Sequence, residues 1–181
     1  MRRPRPAAPG CGDDLAAMLR VDHAGEYGAV RIYAGQLAVF GARHSPAAEA
    51  IRHMAAQEDV HLARFDSLIR ERGVRPTALQ PLWHMAGFAL GAATAFFGER
   101  AAMACTEAVE TVIDEHYAGQ IAALGAREPE LKATIEQFRA EEISHRDQAV
   151  DHGAQKAVAH PLLSAAIKAG CKAAIALSTR I

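Results

Sequence analysis

The stretch YAGQLAVFGAR at Tyr33–Arg43 returns as YAGQIAALGAR at Tyr117–Arg127, and eight of the eleven positions are identical. The offset between the two stretches is 84 residues. Self-similarity at a fixed offset is the signature of a duplicated structural unit. We therefore interpret the chain as two copies of one unit, and the residues that both copies keep indicate what that unit does.

The same offset relates residues that can bind a metal ion. Each copy holds one Glu and, 32 residues further on, the motif Glu-x-x-His. The six residues are Glu26, Glu58 and His61 in the first copy and Glu110, Glu142 and His145 in the second. A spacing of i, i+3 places the Glu and His of each motif on one face of a helix. A lone Glu and a Glu-x-x-His, each used twice, form the ligand set of carboxylate helix bundles that hold two metal ions.

Apolar residues recur at steps of three and four through both copies, which predicts amphipathic helices. The first hairpin is predicted from helices over residues 13–42 and 46–72, and the second repeats it around a turn at Glu128–Pro129. The midpoints between the paired glutamates fall at residues 42 and 126, both at predicted turns. All six side chains are therefore expected at one height in an all-α four-helix bundle, about 24 Å from the turns.

Length and composition fit this architecture. A chain of 181 residues suits one domain, predicted over residues 13–181 after a disordered tail at 1–12 that is rich in Arg, Pro and Gly. The net charge of −1 gives no reason to expect nucleic acid as a partner. Three distant cysteines form neither a disulfide framework nor a Cys-x-x-Cys site, which favours a reducing compartment.

The chemistry of the six residues favours iron. Four carboxylates facing one another in a bundle interior would repel strongly, whereas their charges balance two divalent ions. A mixture of carboxylate and imidazole ligands favours a redox-active pair over calcium or zinc. We therefore predict two Fe ions as the cofactor. No Gly-rich dinucleotide loop or flavin motif is present in the sequence.

Four further residues are candidates for contacts around the centre. Tyr33 and Tyr117 follow Glu26 and Glu110 by seven residues, so they either bond near the site or pack in the core. Asp22 either orients a ligand histidine or makes a surface ion pair. His116 has no counterpart in the first copy and is a candidate for substrate or proton handling. Solvated positions are predicted for Glu107, Glu115, Glu141 and Asp59, and surface or loop positions for His44, His53, His84, His152 and His160.

The segment between the copies, residues 76–98, contains no formal charge: PTALQPLWHMAGFALGAATAFFG. We predict a connecting helix that lies at a membrane surface or lines a channel for an apolar substrate, and a buried connecting helix is the alternative. A final helix is predicted over 161–178, where Lys168 and Lys172 share one face. That helix suits either a membrane surface or packing against the bundle.

Several motifs together resemble one known family, the demethoxyubiquinone hydroxylases. The motifs are RVDHAGEYGA at Arg20–Ala29, GFALGA at Gly87–Ala92, AMACTEAVE at Ala102–Glu110 and GCKAAIALS at Gly170–Ser178. The resemblance extends from about Met18 to Ile181. It implies a ferritin-like di-iron monooxygenase in which the same six glutamates and histidines are the metal ligands and the catalytic centre.

The resemblance also implies a reaction and a location. The implied reaction is ring hydroxylation of a polyprenylated demethoxy-benzoquinol with O2 in ubiquinone biosynthesis. The electrons would come from a nicotinamide donor or from the quinol itself. Peripheral attachment is implied at the cytoplasmic face of the bacterial inner membrane, or at the matrix side of the mitochondrial inner membrane. A biosynthetic complex or a homo-oligomer is compatible with it.

Two alternatives share the same ligand pattern. One is a ferritin-like ferroxidase or peroxide scavenger, which would leave the apolar segment at 76–98 without a purpose. The other is a non-catalytic assembly subunit at the membrane surface that keeps the bundle only as a scaffold.

Overall fold

The computed structural model of the protein describes residues 11–181, with side chains from Asp14 onward. The elements are α1 (Cys11–Phe40), α2 (Pro46–Glu71), α3 (Gln80–Phe96), α4 (Glu99–Leu124), α5 (Pro129–Asp151), a 3-10 turn (Ala154–Lys156) and α6 (His160–Ser178). No strand occurs within residues 11–181, so the predicted all-α class is confirmed. The predicted tail lies outside the described residues except at its end, because α1 already begins at Cys11.

Both hairpin turns lie where the repeat predicts them. Ser45 caps α2 through its side chain, which accepts a hydrogen bond from the backbone N–H of Ala48 at 3.2 Å. Pro46 then occupies the first helical position, where a missing N–H costs nothing. In the second hairpin, Gly125 ends α4 with φ of 57°, a conformation that glycine adopts without strain.

The helices form three layers. The long helices α1 and α4 make the central layer, α2 packs on α1, and α5 packs on α4. On the opposite side, α3 packs on α1 and α6 packs on α4. Within residues 11–181, α3 and α6 make no backbone contact with each other. A gap therefore separates the two outer helices along the central layer.

Helix α3 approaches α1 unusually closely, and glycine makes this possible. A Cβ atom on Gly91 would collide with the backbone of Ile32, and one on Gly35 would collide with the backbone of Phe88. The small-residue pair Gly87 and Gly91 therefore forms a contact surface against α1. The uncharged segment is thus partly a packed bundle helix, with Gly87 and Gly91 buried and with Phe96 and Phe97 each 80% exposed.

Two apolar clusters fill the ends of the bundle. One lies near the first hairpin turn and contains Tyr33, Phe40 and Met54. The other lies near the second turn and contains Phe65 and Tyr117. The polar interior residues lie between the clusters, which keep water away from that layer from both ends.

Candidate metal centre and adjoining cavity

The structure brings the six predicted residues together at the middle of the bundle. All six side chains are buried, with at most 1% of any of them exposed. Their ligand atoms form two groups, and within each group the atoms lie within 4.8 Å of one another. The first group is Glu26, Glu58, His61 and Glu142. The second is Glu58, Glu110, Glu142 and His145. Since Glu58 and Glu142 belong to both groups, the arrangement has two halves joined by two shared carboxylates.

Both histidines direct the same ring nitrogen inward. Nδ1 of His61 lies 3.0 Å from Glu142 Oε1 and 3.6 Å from Glu26 Oε2. Nδ1 of His145 lies 3.1 Å from Glu58 Oε1 and 3.1 Å from Glu142 Oε2. The Nδ1 atoms are therefore the ones available to a metal ion, and the Nε2 atoms face away from the centre.

Each outward-facing Nε2 has a partner. His61 Nε2 lies 2.5 Å from Glu141 Oε2, and His145 Nε2 lies 3.0 Å from Gln57 Oε1. The prediction that Glu141 is merely solvated is wrong, because its side chain is only 30% exposed and its carboxylate bonds the imidazole ring of His61. Gln57 was not predicted at all. The repeat contained the signal, since residues 57 and 141 each precede a shared glutamate at the offset of 84.

The two tyrosines bond across the repeat. The hydroxyl of Tyr33 donates to Glu110 Oε1 at 2.9 Å, and that of Tyr117 donates to Glu26 Oε1. Each tyrosine thus bonds the lone glutamate of the other copy. Both rings are also buried in the apolar clusters, so the two predicted alternatives, bonding and packing, are realised together.

Asp22 and His116 form a polar group beside the centre. Asp22 Oδ1 lies 3.2 Å from His116 Nε2 and accepts a hydrogen bond from Gln120 Nε2 at 2.5 Å. Asp22 orients neither inward-facing histidine, so that alternative is wrong. The other alternative was an ion pair at the surface. Asp22 does pair with His116, but its side chain is buried. Burial raises the pKa of the Asp22 carboxyl, and the hydrogen bond and charge of His116 oppose this only in part.

The electrostatics show that the four buried carboxylates disfavour one another's ionisation. Burial and then the neighbouring carboxylates raise the pKa of Glu58 and of Glu110 well above the usual value for glutamate. Burial alone would lower the pKa of His61, but the facing carboxylates Glu142 and Glu26 outweigh it and raise this pKa to about 11. Burial also opposes ionisation of Glu142, but the adjacent rings of His145 and His61 outweigh it and lower this pKa to about 2.

The hydrogen-bond inventory supports cation binding. Five carboxylate oxygens make no hydrogen bond: Glu26 Oε2, both oxygens of Glu58, Glu110 Oε2 and Glu142 Oε1. His61 Nδ1 also makes none. Buried polar atoms without partners are costly, and cations placed within the two groups would satisfy these atoms. The cluster of glutamates and histidines could therefore hold a metal ion.

A cavity of about 520 Å³ adjoins the centre. It lies between α1, α3, α4 and α6, and its walls are almost entirely apolar. The polar side chains at its inner end are Asp22, His116 and Tyr117. At another point on its wall, Trp83 Nε1 donates to Ser178 Oγ at 3.0 Å and links α3 to α6. The cavity therefore runs from the gap between α3 and α6 to the tyrosine that bonds Glu26.

Several residues outside the centre also differ from prediction. Glu107 is not solvated, because it lies 2.6 Å from His160 Nε2 with only 12% of its side chain exposed. His84 is not free at the surface, because its Nδ1 lies 2.7 Å from the Tyr27 hydroxyl. Glu115 is 58% exposed, as predicted.

The fold and this interior define an all-helical bundle whose buried carboxylates and histidines could hold metal. Residues 13–178 match the family model described as ubiquinone biosynthesis protein COQ7, and the chain belongs to that family. A 3-demethoxyubiquinol 3-hydroxylase of Rhodospirillum rubrum is 57% identical over 97% of this chain and 82% of its own length.

Relatives from other organisms have related names. An NADPH-dependent 3-demethoxyubiquinone 3-hydroxylase, mitochondrial, of Mus musculus is 52% identical over 90% of this chain and 76% of its own length. A 5-demethoxyubiquinone hydroxylase, mitochondrial, of Saccharomyces cerevisiae is 42% identical over 92% of this chain and 78% of its own length. The predicted enzyme class, a hydroxylase of ubiquinone biosynthesis, is confirmed.

Proposed function

We propose that this chain hydroxylates the ring of a polyprenylated demethoxyubiquinol with O2, at a di-iron centre held by the six buried residues. The observation that carries the proposal is the apolar cavity that ends at Tyr117, one hydrogen bond away from Glu26. A quinol with a long prenyl tail needs such a cavity, because its ring must approach the buried carboxylates while its tail remains in apolar surroundings.

The proposed centre has two halves. Glu58 and Glu142 are the shared ligands, Glu26 and His61 complete one half, and Glu110 and His145 complete the other. Four carboxylates and two imidazoles suit a pair of divalent iron ions in charge and in ligand type. When bound, the iron pair would supply the activation of O2 and the redox chemistry.

The cavity walls suit a flat ring and a flexible tail. Small residues leave the space open: Gly25 and Gly28 on α1, and Ala166, Gly170 and Ala174 on α6. A Cβ atom added to Gly25 or Gly170 would meet nothing within 4 Å. We place the ring at the inner end, where polar groups can bond its oxygens, and the tail along the apolar walls towards the gap between α3 and α6.

The polar side chains at the inner end of the cavity orient the quinol ring and can accept or donate protons. Tyr117 keeps Glu26 in place, and Asp22 bonds His116. The side chain of His116 is 21% exposed, whereas that of Asp22 is fully buried. His116 therefore joins solvent to the buried carboxylate and can carry a proton between them. The almost entirely apolar walls of the cavity exclude water from the reacting ring.

We also propose peripheral membrane contact through residues 76–98 and 161–178. Large apolar side chains on and beside these segments are exposed: Leu82, Met85, Phe96, Phe97, Val158, Leu162 and Leu177. Helix α6 is long and apolar enough to cross a membrane by length and composition, although one such helix is weak support for a span. Surface attachment is the better fit, because α6 forms a wall of the cavity, and the gap between α3 and α6 would then open towards lipid.

The location follows from the substrate. A prenyl quinol stays in the bilayer, so the chain would lie at the cytoplasmic face of the bacterial inner membrane. The mouse and yeast relatives are named mitochondrial, which supports the matrix side of the inner membrane as the eukaryotic equivalent. We propose a nicotinamide electron donor, as the name of the mouse relative specifies NADPH. A complex with other biosynthetic proteins, or a homo-oligomer, completes the proposed set of partners.

The test is complementation of a bacterial strain that lacks its own demethoxyubiquinol hydroxylase. Lipid extracts are analysed by mass spectrometry after expression of this chain or of its Glu58→Ala variant. The expected result is ubiquinone with the parent chain and accumulated demethoxy precursor with the variant. Precursor accumulation with both, at equal protein levels, would refute the hydroxylase. Ubiquinone with both would favour a non-catalytic role, and growth of iron mineral cores in purified protein would favour a ferroxidase.

A further inference from the structure

The two inward-facing histidines are held from outside by chemically different groups. His61 Nε2 bonds the carboxylate of Glu141 at 2.5 Å, whereas His145 Nε2 bonds the amide oxygen of Gln57 at 3.0 Å. Positions 57 and 141 are equivalent at the offset of 84, while the six proposed ligands are of the same type in both copies. The two copies therefore have the same residue types at the centre but differ at the residues that bond the outer nitrogens of the two histidines.

The acceptor on Nε2 affects how strongly Nδ1 binds a cation. An imidazole that binds metal through Nδ1 keeps its proton on Nε2 and donates it outward. A carboxylate that accepts this proton makes the ring a better ligand and fixes its orientation, and it does so more strongly than a neutral amide. Glu141 is itself fixed, because its other oxygen accepts a hydrogen bond from Gln137 Nε2 at 3.0 Å.

We propose that Glu141 and Gln57 are positioning residues that make the two halves of the centre unequal. The half containing Glu26 and His61, backed by Glu141, binds a divalent cation more tightly than the half containing Glu110 and His145, backed by Gln57. The first half fills first and releases its ion last. This inference rests on the two-metal centre of the proposed function, and it adds an order of filling.

The test isolates each half in turn. Glu110→Ala removes a ligand from the second half only, and Glu26→Ala removes one from the first half only. Metal-free protein is titrated with Mn2+ without oxygen, and the free aqueous ion is quantified by electron paramagnetic resonance. The expected result is that the Glu110→Ala protein binds Mn2+ roughly ten to a hundred times more tightly than the Glu26→Ala protein.

The outer residues are then exchanged in these two backgrounds. Glu141→Gln is expected to weaken Mn2+ binding about tenfold or more in the Glu110→Ala protein and to leave the Glu26→Ala protein unchanged. Gln57→Glu is expected to strengthen binding in the Glu26→Ala protein, a gain that misfolding cannot produce. The control is Glu136→Gln on the same helix, where a 52% exposed side chain lies 3.8 Å from Lys132 and undergoes the same change of charge.

Each outcome decides between the two levels of the proposal. If both single-half proteins bind Mn2+ equally, or if Glu141→Gln has the same effect in both backgrounds, the inequality is refuted and the metal centre stands. If the parent protein with all six ligands binds no Mn2+, the metal centre and this inference fall together. A hydroxylase that is active but has equal halves would refute this inference alone.

Discussion

The two sides of the central α1/α4 layer carry opposite chemistry. Towards α2 and α5, this layer contributes two glutamates and two tyrosines to a dense polar centre in which five carboxylate oxygens make no hydrogen bond. Towards α3 and α6, the same two helices form the wall of an apolar cavity of about 520 Å³. Tyr117 belongs to both sides, because it bonds Glu26 and also lines the cavity.

This difference shows that the two sides of one duplicated unit carry different side chains. The repeat is retained where the α2 and α5 motifs complete the polar centre. It is not kept at the offset of 84 where α3 and α6 cover the other side. Under the proposed function, the symmetric side binds metal and the asymmetric side admits the substrate. If this division is correct, substitutions on the two sides will have separable effects.

The largest expected effect is on the symmetric side. Glu58→Ala removes a ligand that both halves share, so hydroxylation should fall by about a thousandfold or more, equivalent to at least about 4 kcal/mol of transition-state stabilisation. Product formation by reconstituted protein checks this. The control is Asp59→Ala, which alters an exposed side chain next to it on α2. More than a tenth of the parent activity in the Glu58→Ala protein would contradict the shared role.

A substitution in the cavity should reduce turnover without affecting metal binding. Gly25→Leu would fill space near the inner end, where an added Cβ atom meets nothing within 4 Å. We expect kcat/KM to fall about ten- to a hundredfold, mainly through KM, with Mn2+ binding retained. Gly119→Leu is the control, since Gly119 is an exposed α4 residue that also has nothing within 4 Å and does not line the cavity. An equal loss of activity in both variants would show that the cavity does not bind the substrate.

The cost of ionising the buried carboxylates should be measurable as a lower free energy of unfolding. The pKa of Glu110 is raised in the folded state, so the metal-free protein loses stability as pH rises above the usual glutamate value of 4.5. Glu110→Gln removes this cost and should raise the free energy of unfolding by about 1–2 kcal/mol at pH 8, and by less at pH 5. Urea unfolding with a chelator present measures it.

The matched control for this effect is Glu115→Gln. Its side chain lies on the same helix, is 58% exposed and pairs with Lys172 at 2.9 Å. It should change stability by less than about 0.5 kcal/mol at either pH. If Glu110→Gln destabilised the metal-free protein at pH 8, the buried carboxylates would have to be compensated by a group other than a cation.

The smallest expected effect distinguishes the two tyrosines. Tyr33→Phe and Tyr117→Phe each remove one hydrogen bond to a glutamate at the centre, so each should weaken Mn2+ binding by about 1 kcal/mol. Only Tyr117 also lines the cavity, so only Tyr117→Phe should change KM for the quinol. Equal KM values for the two variants would show that Tyr117 does not contact the quinol.

The sequence predicted the fold and the six central residues because these depend on periodicity. The Glu and His of each motif lie on one helix face at any bundle geometry, and the turns carry local signals such as Ser45-Pro46. The repeat then excluded chance matches. The sequence alone therefore predicts which helix face each candidate ligand occupies and how far it lies from the turn.

The outer contacts of the centre could not be predicted in the same way. Glu141 directly precedes Glu142 and points to a different side of α5, and its contact with His61 depends on how α2 and α5 face each other. The bond between Glu107 and His160 likewise joins residues far apart in sequence, through the packing of α6 on α4. For the uncharged segment, composition predicted an apolar element but not the close approach of Gly91 to Ile32.

The crossed tyrosine bonds have a consequence for the origin of the molecule. Each hairpin supplies a tyrosine that bonds the lone glutamate of the other, and each half of the centre draws ligand atoms from both hairpins. A single hairpin is therefore chemically incomplete. An ancestor made of one hairpin would have built the whole centre only as a two-fold symmetric pair of chains. Once such a pair was joined in one chain, each copy would be free to change on its outer surface while the shared interior kept its symmetry.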